Sequence, residues 1–210
     1  MNLLDTLLNV DSRAAAGARL FGVVVGVVTN NKDEQDLGRV KVRFPWLSET
    51  EESNWARIAS PGGTYFLPEV DDEVLVAFEH GDLRFPYVLG VLWNGKNAPP
   101  TTNSDGKNNL RLIKSRSGHL IKLNDEDGKE TIEIIDKKGK NSVVIDTAKD
   151  TLTITTDKDI TLSAAQGTIK LEAQKIELKS SDDTKIESSK GMDVKASATL
   201  NVKGATVNIN

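Results

Sequence analysis

The 210-residue sequence has no cysteine and only two histidines. Without cysteine there is no disulfide framework, no thiolate metal site and no cysteine nucleophile. Long apolar runs are missing too. Phe21–Val28, the longest near the start, is broken by Gly22 and Gly26 and falls far short of the roughly 20 residues of a membrane-spanning helix. The first residues lack the basic region and apolar core of a signal peptide, so synthesis in the cytoplasm is expected. A net charge of −4 suits nucleic acid poorly, because phosphate is bound mainly through Lys and Arg. No nucleic-acid partner is expected.

A further absence is regional. All ten aromatic residues and all six prolines lie within the first 100 positions, and residues 101–210 contain neither. Charge divides along the same line. Nine Lys/Arg face fourteen Asp/Glu in residues 1–100, whereas eighteen face seventeen in the remainder. Two physically different segments share the chain.

Residues 1–20 place Leu3, Leu4, Leu7 and Leu8 at helical spacing, ahead of Ala14–Ala16. A short amphipathic helix is predicted, and so short a helix needs its apolar face covered. Its own domain or a partner subunit could do so. Residues 21–95 read as short strands with turn punctuation. Arg39–Phe44 alternates polar and apolar, and Glu73–Glu79 leads through His80-Gly81-Asp82 into Pro86–Trp93 as a hairpin. Five or six strands in this span suggest a small closed barrel, which leaves no open edges. Most of the aromatics are expected in its core. Residues 96–109 read as a linker.

Residues 110–210 carry a repeat. Ile132-Glu133-Ile134, Val143-Val144-Ile145, Leu152-Thr153-Ile154, Ile160-Thr161-Leu162, Ile169-Lys170-Leu171 and Ile176-Glu177-Leu178 are apolar-x-apolar triplets. Weaker ones follow around Ile186, Met192, Leu200 and Val207, at intervals of about eight residues, which marks a stacked β array. Eight residues cannot form one coil of a single-chain β-helix with three faces. Each strand alone also buries too little to offset an ordering cost of ~1–2 kcal/mol per residue. Three chains around one axis solve both problems, so a homotrimer is predicted, with Ile160, Leu162, Ile169, Leu171, Ile176 and Leu178 facing the axis. A thin prism has room there for aliphatics and none for tryptophan.

Leu37–Trp46 (LGRVKVRFPW), Trp55-Ala56-Arg57, Leu67–Asp82 (LPEVDDEVLVAFEHGD) and Pro86–Gly90 (PYVLG), in that order, resemble the OB-fold of spike proteins in contractile injection systems. That family includes the phage baseplate assembly protein V, the tail spike of T4-like phages and the VgrG spikes of type VI secretion. The repeat segment resembles the intertwined triple-stranded β-helix that follows the barrel there. The fold class implied is all-β: an N-terminal OB-fold barrel, then an intertwined triple-stranded β-helix in a homotrimer, with a short N-terminal helix. The domains implied are a docking helix at 1–20, the OB-fold at 21–95, the linker at 96–109 and the spike at 110–210.

The resemblance also implies partners. A separate hub protein would receive Leu3, Leu4, Leu7 and Leu8. A PAAR-type tip protein would sit on Ala205, Thr206, Val207, Asn208, Ile209 and Asn210. Inner tube and other baseplate proteins would be indirect neighbours, and a target-cell envelope a transient one. The implied location is the baseplate of a phage-tail-like particle, and the implied role is structural, not enzymatic. Some relatives bind iron through a His-x-His tip. With only His80 and His119 present, neither a metal site nor any cofactor is expected.

Several motifs have plainer readings. Gly90–Asn97 (GVLWNGKN) matches a phosphate-binding loop except at its last position, but prolines, not a helix, follow. Asp125-Glu126-Asp127-Gly128 lacks the ligand spacing of a calcium loop and reads as a hairpin turn. Asp71-Asp72-Glu73 reads as a solvated turn, His80 as a turn residue, and Lys137-Lys138-Gly139-Lys140 as an exposed turn. The alternative function is a β-helical tailspike enzyme acting on surface glycans. It needs paired carboxylates in an aromatic-lined groove, and the repeat segment has no aromatic.

Overall fold

The computed structural model describes residues 19–209, and contacts divide the chain into two units, one ending at Asp157 and the other starting at Lys158. The helix predicted over 1–20, with Leu3, Leu4, Leu7 and Leu8, lies outside the described residues except for Arg19 and Leu20.

The first unit opens with β1 (Val23–Asn30), β2 (Lys41–Arg43), β3 (Arg57–Ile58), β4 (Glu73–Phe78) and β5 (Pro86–Val91). They form one sheet in the order β2-β1-β4-β5-β3, antiparallel except where β3 runs parallel to β5. Just before β2 and β3, Val40 and Ala56 exchange backbone hydrogen bonds of 3.0 and 2.7 Å. That bridge joins the two ends of the sheet, consistent with the OB-fold. β-Branched residues favour the pleated conformation, and alternation sends every second one inward. Val28, Val40, Val42, Val74, Val76 and Val88 are fully buried, with Phe44 and Phe78 packed ring to ring at 5.5 Å. Gly26 of β1 lies under β2, where a Cβ would collide with Val42 and crowd the Phe44 ring.

The aromatic core expected from the sequence is therefore a valine core with two phenylalanines. Tyr65 (78 % exposed) and Trp93 (70 %), together with Phe21, Phe66 and Phe85, lie at the surface. Inner positions on short strands around a narrow barrel are filled by side chains of valine size. The exposed rings fall on loops or just beyond strand ends.

After the loop 92–109 the same unit continues as a second sheet, a meander of β6 (Leu110–Lys114), β7 (Leu120–Asn124), β8 (Thr131–Ile135), β9 (Ser142–Asp146) and β10 (Thr151–Thr155). Neighbours pair antiparallel within the chain, in unbroken five-residue registers. Each reversal contains a residue in the left-handed region: Gly118 (φ 100°), Gly128 (φ 72°), Gly139 (φ 69°) and Asp150 (φ 54°). Tight hairpins between right-twisted strands need positive φ, and glycine meets that need without steric cost. The two-faced strands β8, β9 and β10 coincide with the first three triplets read in the sequence.

The second unit, described from Lys158 to Ile209, carries the remaining triplets. Among the described residues no strand follows Thr155, and every side chain from Lys158 to Ile209 is exposed.

Candidate assembly surface

Cross-strand register decides which side chains of the meander share a face. Ile113, Ile121, Ile134, Val143 and Ile154 stand opposite one another across all five strands, and Arg111, Leu123, Ile132, Ile145 and Leu152 form the adjacent row. Nine of these ten positions are aliphatic. Arg111 is the exception, at the β6 end, donating to the Asn108 carbonyl and 4.0 Å from the Asp125 carboxylate. The face is open within the chain: Ile134 is 53 % and Leu152 64 % exposed. So many aligned aliphatics on one uncovered sheet face make it the candidate association surface.

The opposite face is mostly polar. Lys122 and Glu133 pair across β7 and β8 at 2.9 Å, and Thr131 donates to the same carboxylate at 2.7 Å. Partial desolvation of Glu133 opposes its ionisation, but the hydrogen bonds from Lys122 and Thr131 win and hold its carboxyl below the usual range. At the corners, backbone N–H groups of Lys140 and Asn141 donate to Asp136, and that of Lys149 donates to Asp146. The Asp136 carboxyl is held low chiefly by the backbone N–H of Asn141, and that of Asp146 chiefly by the Lys149 ammonium.

In the second unit the six residues expected at an axis, Ile160, Leu162, Ile169, Leu171, Ile176 and Leu178, are all exposed. Their charged neighbours pair two residues apart: Lys170 with Glu172 (2.7 Å), Lys175 with Glu177, and Lys185 with Glu187 (2.6 Å). In an extended chain residues i and i+2 share a side. An extended course would put these pairs on one side and the aliphatics of the same triplets on the other. Exposed ion pairs contribute little energy. Of the tip positions, Ala205 to Ile209 are described and exposed, and Asn210 lies outside the described residues.

The barrel uses its candidate polar residues structurally. Asp71 adopts a positive φ of 74°, and the Asp72 carboxylate accepts from the Glu69 N–H (2.9 Å) and the Asn97 amide (2.7 Å). His80, with φ 49°, closes the β4–β5 turn. Within Gly90–Asn97 the Asn94 side chain accepts from the N–H groups of Lys96 and Asn97, making a turn. Asp125–Gly128 forms the β7–β8 corner, where Glu126 pairs with Lys129 at 2.7 Å. Lys140 reaches Asp157 at 2.7 Å.

One barrel device escaped the sequence reading. The buried Asp33 carboxylate accepts from Arg39 Nε (2.7 Å) and Nη2 (2.8 Å) and from the backbone N–H groups of Gln35 and Leu37 (3.1 and 3.2 Å). The bidentate guanidinium holds the Asp33 carboxyl far below the usual range. Arg39 also stands over the Trp55 ring, 5.7 Å from its centre, with Lys41 near the same ring at 5.5 Å. An acid and a base six residues apart have no local signature. The available hint was Gly38, which lets the loop turn back at φ 66°.

Comparison with known proteins adds to this geometry. Residues 24–93 match the family described as the type VI secretion system/phage-baseplate injector OB domain. The chain is 25 % identical over 163 residues to the type VI secretion system spike protein VgrG3 of Vibrio cholerae, covering 71 % of this chain and 15 % of that protein. It is 29 % identical over 148 residues to the spike protein VgrG5 of Pseudomonas aeruginosa, covering 63 % and 18 %. To VgrG2a of the same organism it is 33 % identical over 105 residues, covering 46 % and 12 %. The chain thus spans less than a fifth of each of these relatives. The resemblance to spike proteins of contractile injection systems, read from the sequence motifs, is borne out.

Proposed function

We propose, from a barrel that matches the injector OB domain and a repeat with one uncovered aliphatic side, that this chain is the structural central spike of a contractile, phage-tail-like injection system. The observation that carries the reading is the pair of aliphatic rows on the meander, whose spacing recurs in the triplets from Ile160 to Ile209. Three copies related by a threefold axis cover those rows with their equivalents. Completing the burial of half-exposed aliphatics gains on the order of 1 kcal/mol per side chain. The spike then runs from the OB-fold (21–95) through the linker (96–109) into a trimeric β-prism (110–210), and the six residues from Ile160 to Leu178 face its axis.

In this reading Leu3, Leu4, Leu7 and Leu8 dock on a separate hub. The exposed Val207 and Ile209, with Ala205, Thr206 and the flanking Asn208 and Asn210, seat a PAAR-type tip. Assembly is into the baseplate, and the work done is mechanical. A closed prism pairs its backbone groups in ladders and has few loops to yield under load. Energy comes from contraction elsewhere in the machine. The glycan-hydrolase alternative is disfavoured by the cleft of about 810 Å³ beside Trp93, Pro99 and Pro100. Its lining holds one carboxylate, Asp105, beside Arg111, whereas glycoside hydrolysis needs two.

Purification of tagged particles from cells producing the chain with its neighbouring gene products tests the proposal. Three copies per particle, at the baseplate end in electron micrographs, are expected. Particles of normal composition and infectivity or killing activity without the chain would overturn it.

A further inference from the structure

The barrel carries an apolar surface that its own core does not use. A pocket of about 300 Å³ lies between the β1–β2 and β3–β4 loops. Ile58 and Leu67, which pack on the valine core, line its inner side. Around it stand Leu37 (64 % exposed), Phe66 (63 %) and Tyr65. Large apolar side chains gathered beside a pocket and left in water mark an interaction site.

Both walls are fixed in advance. The first loop is pinned by the Asp33 carboxylate, which accepts from Arg39 and from the backbone N–H groups of Gln35 and Leu37. Gly38, at φ 66°, lies under the Tyr65 ring, whose nearest atom is 3.9 Å from where a Cβ would stand. In the second loop the Thr64 hydroxyl donates to the Pro61 carbonyl at 2.7 Å and lies 2.9 Å from the Ser60 hydroxyl. Walls ordered before binding spare a ligand that entropic cost.

Charge selects the occupant. Asp36 lines the pocket and Glu34 lies two residues earlier in the same loop. Among the described residues neither carboxylate has an ion-pair partner. The surrounding segment 21–95 holds six Lys/Arg against twelve Asp/Glu. We propose that this pocket docks a basic, extended segment of a partner protein, which inserts one lysine or arginine side chain. Its aliphatic stem packs on Ile58 and Leu67. Its cationic head meets the Asp36 carboxylate and the Tyr65 and Phe66 rings, and apolar neighbours in the segment cover Leu37. The site is complete within one barrel, so it does not depend on how many copies assemble.

Methyl NMR of the full chain, titrated with acetyl-Ala-Leu-Lys-Leu-Ala-amide, tests the proposal. The methyl signals of Leu37, Ile58 and Leu67 should shift, with a Kd on the order of 1 mM. Norleucine in place of the peptide's lysine keeps the stem and removes the charge, and should weaken binding about fivefold. Glutamate there should abolish it. Asp36→Asn should weaken the lysine peptide about threefold and Tyr65→Ser about tenfold. Glu49→Gln, which removes an acid that does not line the pocket, should leave its affinity unchanged. Equal affinity for the norleucine and lysine peptides, or an unchanged affinity in Asp36→Asn, would overturn the cationic occupant. Absence of shifts at these methyls up to about 10 mM peptide would overturn the site. A lower sedimenting mass for Tyr65→Ser than for the parent would also overturn it, by making another copy of this chain the occupant.

Discussion

At the scale of single residues, two positions bear most on the barrel. Asp33 anchors the β1–β2 loop through Arg39 and backbone N–H groups. Because its carboxyl titrates far lower folded than unfolded, the anchor stabilises fully above the ordinary aspartate value of about 4 and is lost as pH falls below it. Asp33→Asn should therefore melt at a lower temperature than the parent at pH 7, with the gap closing between about pH 4 and pH 2. Calorimetry at a series of pH values checks this, and a gap independent of pH would contradict it. Gly26 is the second position. Gly26→Ala should lower barrel stability by about 1–3 kcal/mol in denaturant titrations, the usual cost of overpacking, because its Cβ meets Val42 and Phe44.

At the scale of elements, alternation was legible where strands have one wet face. Arg39–Phe44 and Glu73–Glu79 announce their inward residues, and the triplets at Ile132, Val143 and Leu152 became β8, β9 and β10. β6 and β7 (LRLIK and LIKLN) were harder to read. Leucines on their second face blur the alternation that register later resolves. The aromatics misled for a related reason. Composition shows that rings are present but not that narrow-barrel interiors take mostly valine, leaving six of the ten rings exposed on loops. Ladder partners misled as well: strands expected to be supplied by three chains pair within one chain from β6 to β10, because similar triplets do not say which chain supplies the neighbour. Ile160→Asp tests the axial assignment at this scale. Three carboxylates at one axial level without partners cost several kcal/mol each. Loss of resistance to detergent on unheated gels is expected, and a variant as resistant as the parent would place Ile160 on the outside.

At the scale of the whole molecule, the chain reads as a part designed for company. The barrel buries a full core by itself. The meander pairs its five strands within the chain but leaves eight aliphatics of one face exposed, and residues 158–209 do not bury a single side chain. Stability should rise stepwise along that series as copies assemble. Subunits wound about one another cannot separate strand by strand, so unfolding of the assembled spike should be slow, as a kinetically stable protein's is. The claim on which all of this depends is that the aliphatic rows are covered by two further copies of the same chain. Sedimentation equilibrium of the purified full chain at micromolar concentration tests it most directly. A mass of three chains is expected, unchanged on tenfold dilution, whereas a folded single chain in solution would contradict it.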